Sequence, residues 1–132
     1  MSCSTLLRPS GLVTGPFSHV AVVPTGAVTI HVGGQNGVDA TGAVVAGGVT
    51  AQTRQVFTNI ATALAAAGAE LADVVSLSIL FVDGADLHAA AAVGAEALAD
   101  LPDPPLVTVA LVSGLAVPGA LVEVTALAAV QR

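Results

Sequence analysis

The sequence predicts an α+β domain with one β-sheet and two helices packed on one of its faces. Three features support this: β-branched runs bounded by Gly and Pro, two Ala-rich segments of helical spacing, and the element order β-β-(β)-α-β-α-β-β. A length of 132 residues fits a single domain over 1–132, in which we expect residues 1–15 to be irregular. Because both helices share one face, the other face needs a cover, which predicts an oligomer.

The first half of the chain predicts a hairpin followed by a turn. Strands are expected over Phe17–Val23 and Ala27–Val32, paired through a turn at 24–26. Asp and Gly in D-A-T-G at 39–42 are typical of a turn, and a third, short strand is expected at 43–45.

The first helix is expected over residues 51–67, with Thr50 as its N-cap and Gly68 as its stop signal. Its apolar face consists of residues at helical spacing: Val56, Ile60, Ala63, Leu64 and Ala67.

The second half alternates strands with the second helix. Strands are expected over Val74–Val82, Leu106–Val112 and Ala120–Val130. Asp86 is expected to cap a helix over Leu87–Leu98.

Composition excludes several classes of partner. The net charge is −6 and the chain has three cationic side chains and no Lys, so it lacks the basic patch that nucleic acid or an anionic membrane requires. Its apolar stretches are interrupted by Gly and Pro, which favours buried strands over membrane spans. With one cysteine and no signal-peptide pattern, we expect a cytoplasmic protein. The apolar content of 55% again favours a subunit interface.

Glu123 is the most informative polar residue, because it interrupts an apolar strand. A carboxylate there is either an acid/base group that positions a water or an amine, or an edge residue facing solvent. Gln35 and Asn36 can bond a substrate or simply close a turn, and for Arg54 we favour a structural role. No metal-ligand spacing, phosphate loop or nucleophile–base arrangement is present.

Six segments fall in an order that resembles the Rid/YjgF family, the reactive-intermediate deaminases also described as endoribonuclease L-PSP. They are G-P-F-S-H-V (15–20), H-V-G-G-Q (31–35), D-A-T-G (39–42), Q-T-R-Q-V-F-T-N-I (52–60), A-A-G-A-E-L-A-D-V-V (66–75) and L-V-E-V-T-A-L-A (121–128). The resemblance implies a chorismate-mutase-like fold and a homotrimer whose sheets form a barrel, with small-molecule clefts between subunits. It also implies hydrolysis of 2-imino acids to 2-oxo acids and ammonia, without metal or organic cofactor.

Three residues match the family pattern at the implied site. The strand glutamate, thought to position the water, corresponds to Glu123, and the glycine and glutamine after the second strand correspond to Gly34 and Gln35.

Four ligand-binding positions depart from that pattern. Gly33 replaces a serine, Phe17 replaces a tyrosine, and the helix-two asparagine falls at Ala91. The arginine that grips the substrate carboxylate corresponds to Val107, or to Leu106 if the register slips by one.

These departures favour a homotrimer with a small-molecule cleft whose imino-acid deaminase activity is weak or lost. One alternative is a deaminase acting on 2-imino or enamine intermediates, including imines without a carboxylate. The other is a structural or regulatory trimer. The sequence leaves open the ligand and whether Arg54 or a partner subunit's residue replaces the missing arginine.

Overall fold

The computed structural model describes residues 2–132, so Met1 of the expected domain lies outside the described residues. The elements are β1 (Thr5–Leu7), β2 (Val20–Val22), β3 (Val28–Asn36), α1 (Gly48–Ala66), a short 3-10 helix (Leu71–Asp73), β4 (Val74–Val82), α2 (Leu87–Ala97), β5 (Leu106–Val112) and β6 (Val122–Val130). The class is α+β, as predicted. No helix within residues 2–132 is long and apolar enough to cross a membrane.

The main sheet has four strands in the order β3-β6-β4-β5. The β4–β5 pair is parallel, and both pairs that involve β6 are antiparallel. The central strands β6 and β4 therefore come from distant parts of the chain, and β3 and β5 form the two edges.

The prediction that the strand within Phe17–Val23 pairs with the strand that follows it is wrong. The turn at 24–26 is present, with the Ala27 amide donating to the Pro24 carbonyl, but β2 pairs with β1 in a separate two-stranded sheet. Residues 1–15 are thus not entirely irregular, because Thr5–Leu7 is a strand. The strand expected at 43–45 is reduced to one bridge between Val38 and Val44. A three-residue strand carries too little pattern to reveal its partner.

The expected turn at 39–42 is present and is closed by a carboxylate. Asp39 Oδ1 accepts from the Thr41 amide at 2.9 Å, the Thr41 hydroxyl at 2.6 Å and the Ala43 amide at 3.2 Å. The Thr41 hydroxyl and these amides lower the pKa of Asp39, because they stabilise its charged form.

Helix α1 begins three residues earlier than expected, and Thr50 is not its N-cap. The N-cap is Gly47, whose φ of 114° lies in the left-handed region that glycine adopts without strain. The C-terminal prediction is confirmed: Gly68 has φ 74°, and the amides of Gly68 and Ala69 donate to the carbonyls of Ala65 and Leu64. This bond pair is a Schellman motif, which satisfies the last helical carbonyls.

The core lies between α1 and the sheet. Val56, Ile60 and Leu64 of α1 are fully buried, as their spacing predicts. They pack with alternate residues of β6, among them Val122 and Val124. Helix α2 lies beside α1 and adds Ala90 to the same core, and the Asp86 side chain caps it by accepting from the Ala89 amide.

The middle of the opposite sheet face carries hydroxyl groups. Thr125, Ser78 and Thr108 are in register across β6, β4 and β5, and all three are exposed. They alternate with Val124, Leu77 and Val107, which lie on the helix-covered face.

Gln52 joins α1 to the chain that enters β6. Its amide nitrogen donates to the Gly119 carbonyl at 3.2 Å, and its amide oxygen accepts from the Leu121 amide at 2.8 Å. Gln52 is buried, and a Cβ at Gly37 would lie 2.6 Å from the Gln52 Cα. Glycine at 37 is therefore required for α1 to approach the sheet this closely.

Asn59 joins the same helix to the chain that leaves β3. Its amide nitrogen donates to the carbonyls of Asn36 at 3.1 Å and Val38 at 2.9 Å. Its amide oxygen accepts from the Gln55 side chain at 2.9 Å, which fixes the orientation of the group. The Q-T-R-Q-x-x-x-N pattern thus has a structural role in this fold.

Replacing Asn59 should destabilise the fold much more than replacing its neighbour. Asn59→Ala removes its amide from the Val38 and Asn36 carbonyls, of which Asn36 keeps the Val38 amide as a donor at 2.8 Å, and we expect the free energy of unfolding to fall by about 2 kcal/mol. Thr58→Ala is the control, because exposed Thr58 only bonds back to the Arg54 carbonyl, and its effect should stay within about 0.5 kcal/mol. Urea denaturation at one fixed protein concentration measures both, and equal losses would contradict the role of Asn59.

Candidate functional site

A β-bulge in β3 shapes the surroundings of Glu123. The register with β6 runs from Val32, opposite Ala126, to Gln35, opposite Val124, so β3 holds one more residue than β6 across this step. The extra residue falls at Gly33 and Gly34. Since a bulge switches which residues face each side of a sheet, Asn36 comes into register with Glu123.

The Glu123 carboxylate is half-buried and occupies space that Gly34 leaves free. A Cβ at Gly34 would lie 2.9 Å from both Cδ and Oε2 of Glu123. The Asn36 side-chain amide donates to Glu123 Oε1 at 3.4 Å and to the Val122 carbonyl at 3.1 Å. The neighbouring Gln35 amide donates back to the Gly33 carbonyl at 3.2 Å, which keeps it at the bulge. The sequence-predicted residues Gly33, Gly34, Gln35 and Glu123 therefore come together.

Phe17 lies next to the start of β5, the edge strand at the opposite end of the sheet from β3. The Ser18 hydroxyl donates to the Pro104 carbonyl at 2.6 Å, and the Ser18 amide donates to the Pro105 carbonyl at 3.1 Å. The Phe17 ring meets His19 edge-on, with centroids 5.3 Å apart. Val107 follows two residues after Pro105.

Val107 and Glu123 point to opposite faces of the sheet. Val107 is in register with Leu77, a buried core residue, whereas Glu123 is in register with Leu80 on the opposite face. Their strands are separated by β4, which corresponds to two strand spacings, or about 10 Å. Ala91 is exposed on α2, which buries Ala90 and Val93 instead. A single copy of the chain thus does not assemble all seven predicted residues into one site.

A cavity of about 240 Å³ adjoins Phe17 and was not anticipated from the sequence. Its lining includes Arg8, and the Arg8 Nη2 lies 3.3 Å from Asp103 Oδ1. Residues 8 and 103 are too far apart in sequence for a local pattern to connect them. The only signal was that Arg8 is one of three cations.

Arg54 lies elsewhere, in a groove between α1 and α2. Its Nη2 is 3.9 Å from Glu96 Oε2, and both side chains are more than half exposed. For Arg54 the structural role favoured from the sequence remains a prediction. Among residues 2–132, no three His, Cys, Asp or Glu side chains cluster as ligands of a metal ion.

Relatives of known sequence include vertebrate deaminases. The goat 2-iminobutanoate/2-iminopropanoate deaminase is 38% identical over 87 residues, which cover 65% of this chain and 60% of that protein. The human protein of the same name is 34% identical over 86 residues, covering 64% and 59% respectively. The chain thus matches about three-fifths of the length of these curated relatives.

Solved structures show the same fold. A Rid-family protein of unknown function from Yersinia pestis is 32% identical, with a TM-score of 0.83 over 96% of this chain and 98% of that one. RidA from a Psychrobacter species is 31% identical, with a TM-score of 0.70 over 83% and 91%. The family model described as endoribonuclease L-PSP matches residues 9–130. The chain belongs to this family, the Rid/YjgF proteins.

Proposed function

We propose that the chain acts as a homotrimer and binds a small molecule in clefts between neighbouring copies. The observation that carries this proposal is the distribution of the site residues. Gly34, Gln35 and Glu123 lie at the β3–β6 side of the sheet, and Phe17 and Val107 lie at the β5 side. A second copy that brings its β5 edge against the β3–β6 side of the first would complete one cleft.

The surface of β5 supports such an interface. Val109 and Leu111 are 52% and 54% exposed although they lie on the helix-covered face, because β5 is an edge strand. Large apolar side chains on an unpaired edge favour burial against another molecule. The exposed hydroxyl row at Thr125, Ser78 and Thr108 would line the barrel that the resemblance implies.

Glu123 is the residue to which we assign chemistry. Its carboxylate is half-buried, is fixed by the Asn36 amide, and has one oxygen beside the free space above Gly34. A carboxylate held in this way can orient a water for attack on an imine carbon and accept its proton.

The substrate class in this proposal rests on positions 106 and 107. The goat, cattle and human relatives are named as deaminases of 2-iminobutanoate and 2-iminopropanoate. Here neither Val107 nor Leu106, which is on the same sheet face as Glu123, offers a charge to a carboxylate, and a lost bidentate contact costs several kcal/mol. We therefore expect weak or no hydrolysis of 2-imino acids through either position. The alternative is hydrolysis of an imine without a carboxylate, which Glu123 would still permit.

RNA is not the substrate in this proposal, although the family description names a ribonuclease. The chain carries a net charge of −6 and three cationic side chains. An enzyme that grips a phosphate backbone needs clustered positive charge.

Sedimentation velocity tests the assembly. The protein at micromolar concentration should sediment as three copies, because the cleft and the exposed β5 edge both require neighbours. A monomer at that concentration would refute the proposed cleft.

An imine-hydrolysis assay tests the chemistry. An amino-acid oxidase generates 2-imino acids in situ, and semicarbazide traps what survives. We expect no acceleration by the wild type and a gain of activity in Val107→Arg, with Leu106→Arg as the variant for the shifted register. Adding Glu123→Gln to the active variant should lower its rate of imine hydrolysis at least about tenfold.

Acceleration by the wild type comparable to that of the arginine variants would show that position 107 does not limit the reaction. If the wild type and both arginine variants are folded and silent, the structural or regulatory trimer is favoured instead.

Gly34→Ala tests whether the Glu123 carboxylate depends on the space beside the bulge. The new Cβ would meet that carboxylate at 2.9 Å, so the Glu123 side chain must move away from residue 34, while stability changes by less than about 1 kcal/mol. Gly33→Ala is the matched control, because a Cβ there meets nothing within 4 Å. The ¹³C shift of the Glu123 carboxyl should change only in Gly34→Ala, and equal shifts in both would refute the packing argument.

A further inference from the structure

The cavity beside Phe17 has a charged side and an apolar side. It has a volume of about 240 Å³, is open to solvent, and is lined by one segment of the chain, residues 8–19. Arg8 supplies the charge, and Leu12 and Val13, which are 52% and 72% exposed, supply apolar surface at its rim.

Most N–H donors of the Arg8 guanidinium are not bonded to Asp103. The Arg8 side chain is 49% exposed and, among residues 2–132, has Asp103 as its one polar side-chain partner, at 3.3 Å. A guanidinium has five N–H donors, and charged N–H to carboxylate bonds are ordinarily about 2.7–2.9 Å long. Asp103 therefore holds Arg8 by one long bond through Nη2, without a bidentate contact. It also shows that a carboxylate can reach this cation.

The remaining wall is held in place by packing. The Phe17 ring lies so close over Gly15 that a Cβ there would be 2.3 Å from it, and its partner His19 donates from Nε2 to the Val13 carbonyl at 2.7 Å. Nε2 is the donor because a carbonyl can only accept. A backbone hydrogen bond also holds His19 near Arg8, because the His19 amide donates to the carbonyl of Leu7, the residue before Arg8. The wall is thus preorganised, which lowers the entropic cost of binding.

We propose that this cavity is a binding site for a small monocarboxylate with a short apolar chain, whose carboxylate displaces Asp103 from Arg8. The cation and the apolar rim select the two ends of such a ligand, and the volume limits its length. The site is distinct from Glu123 and shares only Phe17 with the cleft proposed above. Because Phe17 is next to the start of β5, Arg8 would supply a positive charge on the β5 side, where Val107 carries no charge.

The test is a titration of the full-length protein with butanoate and with butanamide, its uncharged analogue, followed by ¹H–¹⁵N NMR. Butanoate should bind with millimolar affinity, because the ion pair is half exposed, and shift the amides of residues 8–19. Butanamide should bind at least about tenfold more weakly.

Variants assign the binding to Arg8. Arg8→Gln should weaken butanoate at least about tenfold, and Arg8→Lys should give an intermediate loss because it keeps the charge without the fork. Asp103→Asn should strengthen binding, since the internal competitor is gone. Arg54→Gln is the matched control and should change nothing, because that cation lies between α1 and α2.

Two results would overturn the proposal. The first is equal binding of butanoate to the wild type and to folded Arg8→Gln, or no binding to the wild type and Asp103→Asn. The second is that Glu123→Gln abolishes binding while Arg8→Gln leaves it unchanged, which would place the carboxylate in the cleft; the cleft would stand, but the substrate class proposed for it would not. If the protein is a monomer and still binds butanoate through Arg8, the interface cleft is refuted and the carboxylate site stands.

Discussion

The contacts between the side-chain amides of α1 and the backbone at two strand ends hold the rest of the structure in place. Gln52 bonds the chain that enters β6, and Asn59 bonds the chain that leaves β3. Each amide bonds backbone groups at a strand end, where the regular ladder of the sheet stops. Since β3 and β6 are neighbours, one helix thereby sets the positions of both strands at the end that carries Glu123.

The β3 bulge depends on that arrangement and gives the site its geometry. One extra residue moves Asn36 into register with Glu123, and its carbonyl is at the same time bonded by Asn59. The carboxylate then accepts from the Asn36 amide through one oxygen, and its other oxygen lies in the space that Gly34 leaves free. The helix contacts and the candidate site are therefore parts of one connected set of hydrogen bonds.

The two edges of the sheet differ in what they offer. The β3 edge carries the bulge, and the β5 edge exposes the large apolar side chains Val109 and Leu111. The proposed trimer would use these two different edges in a head-to-tail contact, the kind of interface from which rings are built. The proposed cleft would join the β3–β6 side of one copy to the β5 side of another. The proposed carboxylate site is on the β5 side.

The sequence by itself determined both helices, the strands of the main sheet and the Gly68 and Asp86 helix boundaries, because apolar periodicity and capping chemistry are local. It also determined the family and singled out Glu123 as a polar residue in an apolar strand. Only the tertiary structure decided that β2 pairs with β1, and that the bulge aligns Asn36 with Glu123. It alone brought Arg8 to Asp103 beside Phe17. Strand pairing and contacts between residues distant in sequence depend on how whole elements pack, and no local pattern of side chains contains that information.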